Sequence, residues 1–138
     1  MSEVMVREER WTRHRFPLSG GELAEKGGMA CIDTSSGEVV AGQASTTLIF
    51  IGRFAETVDN SAGGSAVPCD VNLMRELVIT RFVNDSGTAV ASSDVGADCY
   101  ILDDRTVTMA TSGNSKCGRV WEVDPLKGVA VELRHGNL

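Results

Sequence analysis

The chain has 138 residues, 42% hydrophobic and 23% charged, which suits one folded domain with a modest core and excludes a disordered chain. Thirteen Lys and Arg stand against nineteen Asp and Glu, a net charge of −6, so the molecule as a whole repels a phosphate backbone and nucleic acid is not an expected partner. The longest apolar run, Leu48-Ile49-Phe50-Ile51, is far too short to span a bilayer, and the charged start MSEVMVREERW lacks the apolar segment of a secretory signal. Synthesis in a cytoplasm, with no membrane partner, is therefore expected.

Fifteen glycines and only 5% aromatics, alongside many Val, Thr and Ser, suggest short strands joined by tight turns. Residues 1–15 are polar, show no clean period and read as an extended N-terminal arm. They hold Arg7, Arg10, Arg13 and Arg15 against Glu3, Glu8 and Glu9, which makes the arm weakly basic and the rest of the chain strongly acidic. Two readings stay open: an arm lying on something acidic, or a solvated terminus. Residues 16–138 read as a single β domain.

Glycine pairs at Gly20-Gly21 and Gly27-Gly28 punctuate the start of that domain. Met29 to Thr34 and Glu38 to Ala41 form a predicted hairpin about Ser35-Ser36-Gly37. Thr46 to Glu56 (TTLIFIGRFAE) is the strongest predicted strand, apolar on both faces, and its Gly52 suggests a bulge or bend. Asp59 to Ala66 is a predicted loop. Residues 69–83 are ambiguous: Leu73, Met74, Leu77 and Val78 have helical spacing, yet the strand formers of 77–83 predict a strand from about 76 to 83. Ser92 to Gly96 is a predicted helical turn. Cys99 to Leu102 and Arg105 to Met109 then predict a hairpin about Asp103-Asp104. Cys117 to Asp124 and Val129 to Arg134 are the cleanest strands, the last alternating apolar and polar residues. Eight or nine short strands with a turn every eight to twelve residues predict an all-β, single-domain β-barrel or jelly-roll-like sandwich. No internal repeat is legible.

Chemistry is sparse. The two histidines, His14 and His135, lie near the termini, and no G-x-S-x-G elbow is present. None of the glycine clusters matches a phosphate-binding loop. Cys31, Cys69, Cys99 and Cys117 have no C-x-x-C spacing, and the predicted reading is buried free thiols. Asp103-Asp104 reads as a turn; the alternative is a cation site completed by Asp98, although no EF-hand spacing supports it. The expectation is no enzyme activity, no cofactor and no metal. Trp121 lies beside Val120 in a strand, so one of the two faces away from the core unless a bulge intervenes. Trp11 lies in the charged arm without a local core. Arg7, Arg10, Trp11, Arg13, Arg15 and Trp121 are the candidate partner-binding residues.

The order of these segments resembles a known family. Gly28-Met29-Ala30-Cys31-Ile32-Asp33-Thr34-Ser35-Ser36-Gly37, then Ile51-Gly52-Arg53-Phe54 and Val58-Asp59-Asn60-Ser61-Ala62-Gly63, are similar to segments of small capsid decoration (cement) proteins of tailed bacteriophages. So are Asp94-Val95-Gly96, Cys99 to Asp104 and Thr106-Val107-Thr108, followed by Gly118-Arg119-Val120, Val123-Asp124 and Gly128 to Glu132. The likeness spans residues 16 to 134. It consists of turn and strand signals whose order and spacing are more specific than any one motif; the cysteines at 31, 99 and 117 depart from it. It implies a β-barrel or jelly-roll-like homodimer or homotrimer on the outer surface of the virion, bridging major capsid protein subunits and carrying no catalytic residues. The alternative is another virion module, such as a tail or baseplate accessory domain.

Overall fold

The computed structural model describes residues 11–74 and 78–133. They form β1 (Trp11–Leu18), β2 (Glu22–Ala24), β3 (Met29–Asp33), β4 (Val39–Ala41), β5 (Leu48–Phe54), β6 (Val58–Asn60), β7 (Val67–Met74) and β8 (Val78–Asn84). A short 3-10 helix (Ser92–Asp94) follows, then β9 (Asp98–Ile101), β10 (Thr106–Thr108), β11 (Lys116–Asp124) and β12 (Gly128–Leu133). The class is all-β, as the turn spacing predicts. Among the described residues no helix is long and apolar enough to cross a membrane.

The twelve strands among the described residues exceed the eight or nine expected, and the difference has physical causes. Strands β2 and β6 are three residues each, too short to show a period, and they pair only with each other. In β7 the helical spacing of Leu73 and Met74 is not realised. Its backbone is extended because it pairs with β1 along its whole length and with β5 at Val71, Asn72 and Leu73. The expected arm, residues 1–15, meets the described residues only at 11–15. Residues 11–15, assigned to it from their polarity, belong to β1, where Trp11, Thr12, Arg13, His14 and Arg15 lie opposite Met74 to Asp70. An outward strand face can be polar throughout when its partner strand supplies the counter-charge, and here Asp70 does.

The strands close into two barrels, joined by further contacts, and the barrels have one topology. The first runs β1-β4-β3-β5-β7 and the second β8-β10-β9-β11-β12, each ring closed by its last strand pairing with its first. In each, the first and third strands of the barrel are parallel, at Leu18↔Val39 and at Val83↔Thr106, and every other neighbour is antiparallel. The parallel seam of the first barrel is shorter because Pro17 has no N–H to give, whereas Val83 donates to Arg105 O at 2.8 Å. Backbone bonds repeat as well. Gly27 N donates to Phe54 O and Phe54 N to Gly28 O, while Gly96 N donates to Val120 O and Val120 N to Ala97 O, all at 2.8–2.9 Å. Gly27 and Gly96 both have positive φ, +86° and +91°, the region that favours glycine.

Two apolar clusters fill the molecule. Leu18, Ala24, Ala30, Val39, Phe54, Cys69 and Val71 occupy the first barrel. The larger cluster takes Met29, Cys31, Val40, Leu48 and Phe50 from β3, β4 and β5, and joins them to Phe82, Ile101, Val120, Val131 and Leu133 of the second. A register shift between Ala30 and Cys31 lets β3 and β5 serve both. Leu48 N donates to Ser115 Oγ at 3.1 Å, Met29 N donates to Asp104 O at 2.7 Å, and Gln43 bridges to Asp103, so polar links also cross the seam.

Candidate docking surface

Asp70 organises the outer face of β1. Its Oδ2 accepts from Arg13 Nε at 2.7 Å and its Oδ1 from Arg15 Nε at 2.9 Å, while Asp70 N donates to Glu56 Oε2 at 2.9 Å. The hydrogen bonds from Arg13, then Arg15, hold the Asp70 carboxyl below the usual carboxylate range. Asp33, Asp59, Asp85 and Asp124 are lowered too, by bonds from the turns they close. The acidic group on which Arg13 and Arg15 lie is thus in the same chain. Arg7 and Arg10 lie outside the described residues, as does the side chain of Trp11.

This arrangement predicts a pH signature for Asp70→Asn. A carboxyl lowered on folding adds stability above its unfolded pKa of about 3.9, and that increment disappears as pH falls through the folded value. The gap in thermal midpoint between the wild type and Asp70→Asn is therefore expected to be full at neutral pH and to close below about pH 4. Melting curves from pH 7 to pH 2 check this; a gap that persists at the acid end would assign the loss to packing.

Trp121 projects outward. The register shifts between Val120 and Glu122 on β11, Val120 is buried, and Trp121 is 45% exposed. Val120 therefore takes the core side and Trp121 the solvent side. Leu126, in the turn between β11 and β12, is 95% exposed, and Val83 on β8 is exposed as well. Leu126 N and Lys127 N both donate to Asp124 Oδ1, which fixes the turn that presents Leu126.

His14 is exposed on β1, and His135 lies outside the described residues. Asp103 Oδ1 accepts from Arg105 N at 2.9 Å and closes the predicted turn, while Asp98 pairs with Lys116 at 3.5 Å. Burial raises the Asp104 carboxyl against the opposing pull of Arg105. Among the described residues no group of three or more His, Cys, Asp or Glu could hold a metal ion. All four cysteines are free and buried. Burial pushes the Cys69 thiol up to about 11 and raises Cys31 and Cys117 further, so these groups stay protonated and behave as small apolar side chains.

One feature escaped sequence reading. Arg53 of β5, Arg81, Phe82 and Val83 of β8, Arg105 before β10 and Lys127 before β12 line an open cleft of about 200 Å³. Its charged residues are separated by 22 to 74 positions, so no local pattern marks it. Arg53 is fixed there. Its Nη1 donates to Gly27 O at 2.5 Å, its Nη2 to Thr80 Oγ1 at 2.7 Å and Arg81 O at 2.8 Å, and its guanidinium stands 4.4 Å from the centre of the Phe82 ring.

Comparison with protein-family models, with curated proteins and with solved structures returned no match.

Proposed function

We propose that the chain is a capsid decoration protein of a tailed bacteriophage. It docks as a homodimer or homotrimer on the outer surface of the expanded capsid, bridges neighbouring major capsid protein subunits, and works by adhesion with no bond made or broken. Made in the host cytoplasm, it becomes part of the virion. The observation that carries this reading is Trp121, a large amphipathic ring held on the outer face of a paired strand, with the exposed Leu126 in the adjoining turn. Trp is the residue type most often found at the energetic centre of protein interfaces. Two barrels joined by a common apolar cluster make a stiff scaffold for it, so little order has to be gained on docking. The resemblance of the segment order to that of decoration proteins supports the choice of partner. A ligand that binds only the expanded lattice shifts the equilibrium towards it, and many copies let each contact be modest.

Mixing the purified chain with undecorated expanded capsids tests the proposal. Saturable, regular binding and a raised capsid melting temperature are expected; absence of both overturns it. Trp121→Ala is expected to weaken binding by about 30-fold or more while moving the chain's own stability by less than about 1 kcal/mol. Equal affinities for the variant and the wild type would remove Trp121 from the interface.

A further inference from the structure

The equivalence of the two barrels exposes a difference in charge. Arg15-Phe16 on the first strand of one barrel corresponds to Arg81-Phe82 on the first strand of the other. Arg15 lies opposite Asp70, which neutralises it at 2.9 Å. Arg81 lies opposite Ala130, so the position directly across from it supplies no carboxylate, and the one acid of that strand, Glu132, lies opposite Ile79. The nearest acid in that row is one strand further on, at Glu122, itself opposite Ala130. Glu122 reaches Arg81 Nη2 alone. Arg81 Nη1 is buried and has no hydrogen-bond partner among the described residues. A buried guanidinium nitrogen without an acceptor is costly, and such groups mark places where a partner is missing.

The surroundings add positive charge. Arg53 cannot turn away, being tied to three protein oxygens and packed on Phe82. Arg105 Nη2 is held by Lys26 O at 3.1 Å, with Glu25 more distant at 3.8 Å. Lys127 completes the rim, and among the described residues no acidic side chain lines the cleft. In a chain of net charge −6 this concentration of cations is local. A volume of about 200 Å³ admits one small anionic group, while the acidic body opposes a polyanion.

We infer that the cleft between Arg53, Arg81, Arg105 and Lys127 binds a single oxyanion, adding to the partial neutralisation that Glu122 gives Arg81. In the docked state that oxyanion is a carboxylate side chain of the capsid subunit; this second clause rests on the function proposed above. Carboxylate and free inorganic phosphate share the required chemistry, an acceptor with oxygens matched to a guanidinium fork.

The test uses the full chain labelled with ¹⁵N and two probes, inorganic phosphate and the blocked peptide N-acetyl-Ala-Glu-Ala-amide. Both are expected to produce saturable shifts at residues 81–83, 105 and 127. The double variant Arg105→Ala/Lys127→Ala, whose fold is verified by its own spectrum, is expected to bind each probe roughly tenfold more weakly. Arg81→Lys keeps the charge but not the fork, and is expected to weaken the peptide more than phosphate. Absence of saturable shifts, or shifts untouched by these variants, overturns the site. Capsid binding separates the site from the proposed function. A double variant that loses the probes yet decorates capsids as the wild type does overturns the carboxylate assignment and leaves decoration standing. A wild type that binds the probes but no expanded capsid preserves the oxyanion site and removes decoration.

Discussion

Phe50→Ala is expected to destabilise the whole molecule by about 3–5 kcal/mol, because it deletes a fully buried ring and leaves a cavity that a β framework closes poorly. For a chain of this length that corresponds to a fall in melting temperature of about 10–15 °C. The position matters more than the size. Phe50 belongs to β5 of the first barrel, yet its ring meets Phe82 of the second edge to face, with centroids 6.0 Å apart and planes at 67°. It packs in the cluster that joins the two, beside Met29, Cys31 and Leu48. Both barrels should therefore lose stability together, in one calorimetric transition. Two resolved transitions, with only one displaced by the substitution, would show that the barrels fold independently and that the joint cluster couples them weakly.

The same strand shows what was legible in the sequence. The run TTLIFIGRFAE is legible as a strand but not in its burial: Leu48, Phe50 and Phe54 are buried, divided between the two clusters, while Ile49 is exposed and Ile51 only half-buried, so burial on both faces is not realised. The hairpins β3–β4, β9–β10 and β11–β12 follow from turn residues between β-branched runs, because hairpin pairing is local. The placement of Trp121 outside and Val120 inside follows from the two-residue period, which holds across Arg119, Val120 and Trp121 despite the register shift before Glu122. The two-barrel arrangement was hidden, and so was the repeat. Equivalent residues are 69 apart at Gly27 and Gly96, 66 at Phe54 and Val120, and 60 at Asn72 and Glu132, so no single offset aligns the halves. Few side chains are shared, since the topology constrains backbone approach and face, and many apolar residues satisfy each face. The pairing of Arg13 and Arg15 with Asp70 was hidden for a related reason. It spans more than fifty residues and depends on β7 being a strand, which the helical spacing of its last residues obscured. The cationic cleft is assembled from four separate segments and carries no local signature at all.

Where the repeat does show in the sequence is at a glycine, and substituting it is expected to be as damaging as losing Phe50. Gly52 of β5 and Gly118 of β11 stand at matching places, each followed by Arg, each under the last strand of its barrel. A Cβ added at Gly52 would lie 2.1 Å from Asn72 O; one added at Gly118 would lie 2.6 Å from Glu132 O and 2.8 Å from Val131 Cγ1. The obstructing oxygens are backbone atoms of paired strands, so they cannot rotate aside, and the barrel must widen or break its ladder. Gly52→Ala and Gly118→Ala are each expected to cost about 3 kcal/mol, near the upper end for an overpacked core, with melting temperatures lower by about 10 °C. Gly64→Ala is the internal control: nothing lies within 4 Å of the added carbon, and the change should stay within about 0.5 kcal/mol. Denaturant titration of the three variants checks all of this. A Gly52→Ala chain as stable as Gly64→Ala would mean that β5 and β7 do not approach so closely in solution, and the closure of the first barrel would have to be redrawn. If both β-strand variants are destabilised alike, the close backbone crossing is the shared structural requirement that the two halves have kept while their side chains diverged.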